Sequence, residues 1–205
     1  MGAGRDRKTN ILRQAARVFM EQGYEAASMK VIAERAELTK PGLYYHFKSK
    51  QDLLFAIMSH AMDFLEKETL AATVASTDNE QRLKKIIRGH ARMIAQEGVG
   101  TFTVLVIDET HVLTPDDHRL ITHRKRAYYE VIRATLNELG REGKLRAGTD
   151  TTVAAFSLLG MVMWISRWYS PDGALNPEEV AERISELALG AVLRDDCRTT
   201  RPSTE

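Results

Sequence analysis

The chain has 205 residues, 43% hydrophobic and 28% charged, with a formal net charge of +1, which is enough chain to bury a core in one large or two small domains. Its longest nearly continuous apolar run, Val153 to Ile165, is too short to span a bilayer, and its single cysteine, Cys197, excludes an intrachain disulfide framework. Met1 to Lys8 is polar and basic, without the apolar run of a secretion signal, so a cytoplasmic location and no membrane partner are expected.

Taken in order, the chain reads as helices. Ile11, Ala15 and Phe19, with Leu12, Ala16 and Val18 beside them, give an apolar face over about residues 8–22. Gly23 follows where a helix ends in a left-handed residue, and Tyr24 can fold back on the last turn. Ser28 caps a second helix whose inner side is Val31, Ile32, Ala33 and Ala36. After a tight turn at Glu37-Leu38, Thr39 caps a third helix, with Pro41 in the first turn, where a missing N–H matters least. This helix has room for two turns before Ser49 and Asp52 open the next one. So short a helix is not stable alone and must pack on its neighbours. Leu43 and Phe47, at i and i+4, face inward, which leaves Lys40, Tyr44, Tyr45 and His46 outside, although one tyrosine could serve the core instead. Those outer groups suit phosphates and base edges. Three helices, the last two joined by a short turn, are the arrangement of a helix-turn-helix.

Charge agrees with that reading. Residues 1–50 carry ten basic and five acidic side chains, a net +5, which leaves −4 for residues 51–205. A basic head on a mildly acidic body is the footprint expected of a nucleic-acid-binding module attached to a different kind of domain. Arg5, Arg7 and Lys8 form either an arm for the minor groove or a disordered tail.

Beyond the head, Leu53, Leu54, Ile57, Met58, Ala61 and Leu65 carry a linking helix over 49–69. A further helix presents Leu83, Ile86, Ile87, His90 and Ile94 on one face. Residues 101–112 have strand-like propensity but no partner segment, so a buried helix is expected there. Thr114, Pro115 and Asp117 open a helix that runs to about Leu139. An apolar helix then spans about 150–168, and Asn176-Pro177-Glu178-Glu179 opens the last one, over 177–193. Residues 194–205 read as a frayed tail. The expected fold is all-α with about nine helices: a DNA-binding head at 1–50 and a larger helical body at 51–193, which the resemblance described below makes a ligand-binding and dimerisation domain.

The helices at 150–169 and 177–193 carry apolar residues around much of their circumference. Two such hairpins from two subunits would bury one another, and a protein that reads a palindrome needs a dimer. No nucleophile with a base at motif spacing, no Gly-rich phosphate loop and no metal box is present, so neither catalysis nor a cofactor is expected. His111, His118 and His123 lack the spacing of a metal pair on one helix and read as surface residues.

Residues of about 8–60 resemble the N-terminal domain of the tetracycline-repressor family of bacterial regulators. The resemblance rests on Ile11-Leu12-Arg13-Gln14-Ala15-Ala16, Phe19, Gly23-Tyr24, Ile32-Ala33 and above all Gly42-Leu43-Tyr44-Tyr45-His46-Phe47-Lys48-Ser49-Lys50. It implies an all-helical homodimer whose body binds a small molecule that releases the protein from operator DNA. It also implies that Ser28, Thr39, Lys40, Gly42, Tyr44, Tyr45, His46 and Lys50 form the DNA-binding surface, with phosphate contacts at Ser28 and Lys50.

The stretch from Trp164 to Leu175, with Pro177-Glu178-Glu179, resembles the C-terminal domain of regulators of fatty-acid and sterol-ring degradation. Several of those respond to acyl-coenzyme A thioesters, which implies such an effector here. Phe102, Val106, Met163, Trp164 and Trp168 are the expected apolar contacts, and Arg124 and Arg167 the expected basic ones, alongside Lys125 and Arg126. Trp164, Arg167 and Trp168 fit a plug over the core or a dimer seam equally well. A neutral or cationic drug-like effector would instead call on buried carboxylates such as Asp108 or Glu109.

Overall fold

A computed structural model describes residues 2–74, 76–96 and 110–194 of the chain, and over these it is helical apart from turns and one isolated bridge, Leu145 to Leu193. The expected Phe102 and Val106 contacts, the carboxylates Asp108 and Glu109, and the tail beyond Arg194 lie outside the described residues.

The head follows from its caps and its small core. Helix α1 (Gly2–Gln22) buries Ile11, Leu12, Ala15, Ala16, Val18 and Phe19. It begins six residues earlier than the apolar pattern, so Arg5, Arg7 and Lys8 belong to its first turns rather than to an extended arm. Gly23 ends it at φ 78°, a conformation that favours glycine, and the Tyr24 ring returns to 5.3 Å from Phe19. Helix α2 (Met29–Arg35) is capped by Ser28, whose Oγ accepts the Val31 N–H at 3.3 Å. The turn to the next helix places Glu37 at φ 55°. Helix α3 (Lys40–His46) starts with Thr39 Oγ1 accepting the Gly42 N–H at 3.1 Å. Leu43 and, just past its end, Phe47 hold α3 on the core.

Helix α4 (Lys50–Val74) joins the head to the body through a stripe of Leu53, Leu54, Ile57, Met58, Ala61, Met62 and Leu65. It continues one turn past the expected end near Thr69. Leu70-Ala71-Ala72 are good helix formers, and Ala72 is buried. Helix α5 (Asn79–Ala95), capped by Asp78, lies at the centre of the body and packs on α4 and on the helices that follow. A single 3₁₀ turn, Thr110–Val112, precedes α6 (Pro115–Arg141), which opens at the Thr114 cap.

The expected long helix over 150–168 is two helices, α7 (Thr151–Met163) and α8 (Ile165–Trp168). At the break the Ser166 hydroxyl donates to the Met163 carbonyl at 2.9 Å and the Arg167 N–H to the Trp164 carbonyl at 2.9 Å. A serine that bonds back to the preceding turn competes with the helical ladder and bends the chain. The last helix, α9 (Pro177–Val192), opens with a complete capping box between Asn176 and Glu179 and packs more extensively on α5 than any other described pair of helices. The start of α4 is tied to the 3₁₀ turn as well, because the Gln51 side-chain amide donates to the Val112 carbonyl.

Candidate nucleic-acid interface and interior cavity

The outer face of α3 carries the chemistry expected of it. Tyr45 is 87% exposed and Tyr44 42%, while Leu43 on the opposite side is fully buried. Lys40 and His46 are exposed on the same helix. The Lys40 ammonium lies 5.9 Å from the centre of the Tyr44 ring, and His46 meets the Tyr45 ring edge-on at 5.3 Å. The face therefore offers two phenol hydroxyls, an imidazole and a cation, held by a helix anchored from behind.

Ser28 and Thr39 are both exposed, and each hydroxyl oxygen already accepts a backbone N–H. A hydroxyl used in this way still has its own hydrogen to donate outward, which suits a phosphate oxygen. Gly42 contributes differently. A Cβ there would sit 3.1 Å from Thr39 Oγ1, so glycine lets the cap and the first turn of α3 close together.

Lys50 departs from expectation. Its ammonium donates to the carbonyls of Tyr24, Glu25 and Ala27 at 2.7, 3.1 and 3.1 Å and lies 4.3 Å from the centre of the Tyr24 ring. An ammonium has three hydrogens to donate. Here all three fasten the α1–α2 loop to the start of α4, so the side chain acts as a clamp inside the head rather than as an outward phosphate contact.

In the body, a cavity of about 760 Å³ lies between α4, α5, α6 and α7. Met62, Leu65, Tyr128, Leu159 and Met163 form its apolar wall, and Phe156 stacks on Tyr129 at 4.6 Å beside it. Lys125, Arg126, Glu130 and Arg133, all on α6, bring charge to it. Arg133 and Glu130 pair at 2.7 Å, so three cations face one carboxylate.

The lining also holds a buried imidazole. His90 is 3% exposed, its Nδ1 is 3.0 Å from the Tyr128 hydroxyl, and its Nε2 has no hydrogen-bond partner. Loss of hydration on burial pushes its pKa down to about 4, so the ring is neutral at physiological pH. The signal for this residue was present in the sequence, because His90 interrupts an otherwise aliphatic stripe, but an apolar face alone gives such a histidine no role.

Among the expected ligand contacts, Met163 lines the cavity. Trp164, Arg167 and Trp168 do not. They lie on the surface, Arg167 exposed, Trp164 65% and Trp168 50% exposed. Arg124 is spoken for as well. It pairs with Asp63 at 2.6 Å and Glu66 at 2.7 Å and donates to the Ser59 carbonyl, bracing α6 against α4. The Glu66 hydrogen bond is the main reason its guanidinium is held above its usual pKa, and with two carboxylates upon it, little charge remains for a ligand. His111, His118 and His123 are exposed, and the described residues hold no group of three or more potential metal ligands. No helix among them is long and apolar enough to cross a membrane.

A band of apolar side chains is left on the surface of α7, α8 and α9. Val153, Phe156, Trp164, Trp168 and Leu187 are each between 50% and 65% exposed.

Comparison with known proteins matches both parts of the chain. Residues 11–57 fit the pattern of "Bacterial regulatory proteins, tetR family", and residues 76–192 that of "Tetracyclin repressor-like, C-terminal domain". The chain is 27% identical to the transcriptional activator FasR of Mycolicibacterium smegmatis, over 91% of this chain and 83% of that protein. It is 24% identical to the transcriptional repressor KstR2 of Rhodococcus jostii, over 89% of each. Among solved structures, AibR in complex with isovaleryl coenzyme A and operator DNA superposes with a TM-score of 0.77 at 33% identity, over 91% of this chain and 98% of that one.

Proposed function

This chain belongs to the tetR family of bacterial regulatory proteins and is a DNA-binding transcriptional regulator, and on that premise we propose that it is a cytoplasmic repressor released from a palindromic operator by an acyl-coenzyme A thioester. Residues 1–50 bind DNA, with α3 in the major groove. Tyr45, Tyr44, His46 and Lys40 face the bases and backbone, and Ser28 and Thr39 donate to phosphates. Residues 51–193 bind the effector and pair two copies of the chain through the exposed apolar band on α7–α9.

For the DNA contact, the supporting observation is the 87% exposure of Tyr45 on a helix whose other side is fully buried. Most of that ring is left uncovered by the monomer and is available for a partner. A fluorescence titration with duplex DNA from the region upstream of the gene tests it. Tyr45→Ala should weaken binding about tenfold or more while leaving the unfolding midpoint unchanged. Full affinity in a Tyr45→Ala, Lys40→Ala double variant would remove α3 from the interface.

For the effector, the supporting observation is the apolar cavity with an excess of positive charge on α6. Apolar wall and cationic rim together fit a ligand with an apolar portion and an anionic one. AibR, similar over nearly its whole length, was crystallised with isovaleryl coenzyme A. Thermal shift with isovaleryl-, decanoyl- and palmitoyl-coenzyme A, the matching free acids and free coenzyme A tests this class. Stabilisation by at least one thioester, and not by coenzyme A alone, is expected. A cationic dye that stabilises the protein when no thioester does would point to a drug-like effector instead.

A further inference from the structure

The apolar cavity contains a buried hydrogen-bonding atom that the fold leaves unused. His90 Nε2 has no partner, and the residue is 3% exposed and lines the cavity. A polar nitrogen kept from both water and protein partners carries a free-energy penalty that apolar residues of similar size would avoid. The histidine is also held in place. Tyr128, from α6, reaches Nδ1 at 3.0 Å and meets the ring edge-on, at 80° between ring planes. Met62, Leu65, Leu159 and Met163 in the same wall offer no hydrogen-bond donor and no acceptor stronger than a thioether.

We propose that His90 Nε2 anchors an oxygen atom set within the otherwise apolar part of the ligand. The oxygen is the thioester carbonyl, or a keto or hydroxyl oxygen on the acyl chain. Tyr128 is a positioning residue. Its hydroxyl donates to Nδ1, which places the ring hydrogen on Nε2 and aims it at the ligand. Because the ring is neutral, the anchor selects an oxygen acceptor and does not serve as a counter-charge. Charge recognition is left to Lys125, Arg126 and Arg133 on α6. The cavity thereby reads two features of one molecule, a buried oxygen and an anionic group. This inference rests on the reading of the cavity as the effector site.

The test is calorimetric titration of the full chain with three ligands: decanoyl-coenzyme A, its S-decyl thioether, which lacks only the thioester carbonyl, and 3-hydroxydecanoyl-coenzyme A, which adds one hydroxyl. In the wild type, at least one added oxygen should raise affinity about tenfold, the effect of one buried hydrogen bond. Which of the two pairs shows the gain identifies the oxygen. His90→Leu should erase the gain while leaving S-decyl affinity and operator binding in place, and His90→Gln should keep part of it. Tyr128→Phe, which leaves the imidazole present but unaimed, should reduce the gain several-fold without weakening the thioether. Equal affinities for all three ligands in the wild type, or a gain that survives His90→Leu, would overturn the anchor while leaving the effector class standing. Equal weakening of thioester and thioether by Tyr128→Phe would likewise overturn it. Binding of none of the three would overturn the effector reading and this proposal together.

Discussion

At the scale of single residues, His90 and Lys50 show how position decides what a polar group does. Burial lowers the His90 pKa from an ordinary value near 6.5 to about 4. Between those values the unfolded chain carries a proton that the folded chain does not. This contribution therefore favours unfolding progressively as the pH falls from 6.5 to 4, and changes no further below 4. From pH 7 to pH 5 the single group should remove about 2 kcal/mol of stability. Denaturant titrations at the two pH values should show His90→Gln losing about 2 kcal/mol less than the wild type. Equal losses would mean that the ring is not held neutral. Lys50 presents the opposite case, a charged group satisfied entirely by backbone carbonyls. Lys50→Met should destabilise the head by about 2 kcal/mol, the scale of a charged hydrogen bond removed from partly buried partners. DNA affinity should then fall only as far as folding does, which distinguishes a clamp from a phosphate contact. Neither role was legible in the sequence. A lysine beside a helix start looks like a phosphate ligand until the loop that folds over it, 23 to 26 residues earlier, is in place.

At the scale of elements, the sequence was most informative where the determinant is local. Ser28, Thr39, Thr114, Asp150 and Asn176 cap helices in the structure at the positions their residue types suggest. Leu43 and Phe47 face inward, and both tyrosines of α3 retain exposed surface. What could not be read there was set by competing or distant contacts. At the break by Trp164 the Ser166 hydroxyl bonds back to the Met163 carbonyl, and both tryptophans lie on the surface there. The cavity is built from four helices, and no sequence window contains more than one of its walls. The dimer reading rests on apolar side chains left exposed on these last helices, Leu187 at 63% on α9 together with Trp164 and Trp168. Leu187→Arg would place an unpaired charge in that seam and should yield monomers by light scattering at micromolar concentration. A wild type that is already monomeric would remove the seam.

At the scale of the whole molecule, the proposed release by an effector requires that the cavity and the outer face of α3 respond to one another. Helix α4 is the physical candidate for that link. It begins in the head beside α3, supplies Met62 and Leu65 to the cavity wall, and is braced to α6 by Arg124 through Asp63 and Glu66. A ligand that wedges between α4 and α6 acts on the element that carries the head. Arg124→Met should loosen this brace and reduce the effect of the ligand on DNA binding, with both separate affinities still measurable. A ligand that moves the protein from almost wholly bound to almost wholly released must favour the released form by about 5 kcal/mol. Such coupling is reciprocal in equilibrium affinities. The most direct measurement is therefore the operator affinity of the full chain with and without saturating acyl-coenzyme A, paired with the acyl-coenzyme A affinity with and without operator. The account predicts that each ligand weakens the other by the same factor, at least tenfold. An operator affinity unchanged at saturating acyl-coenzyme A would contradict it.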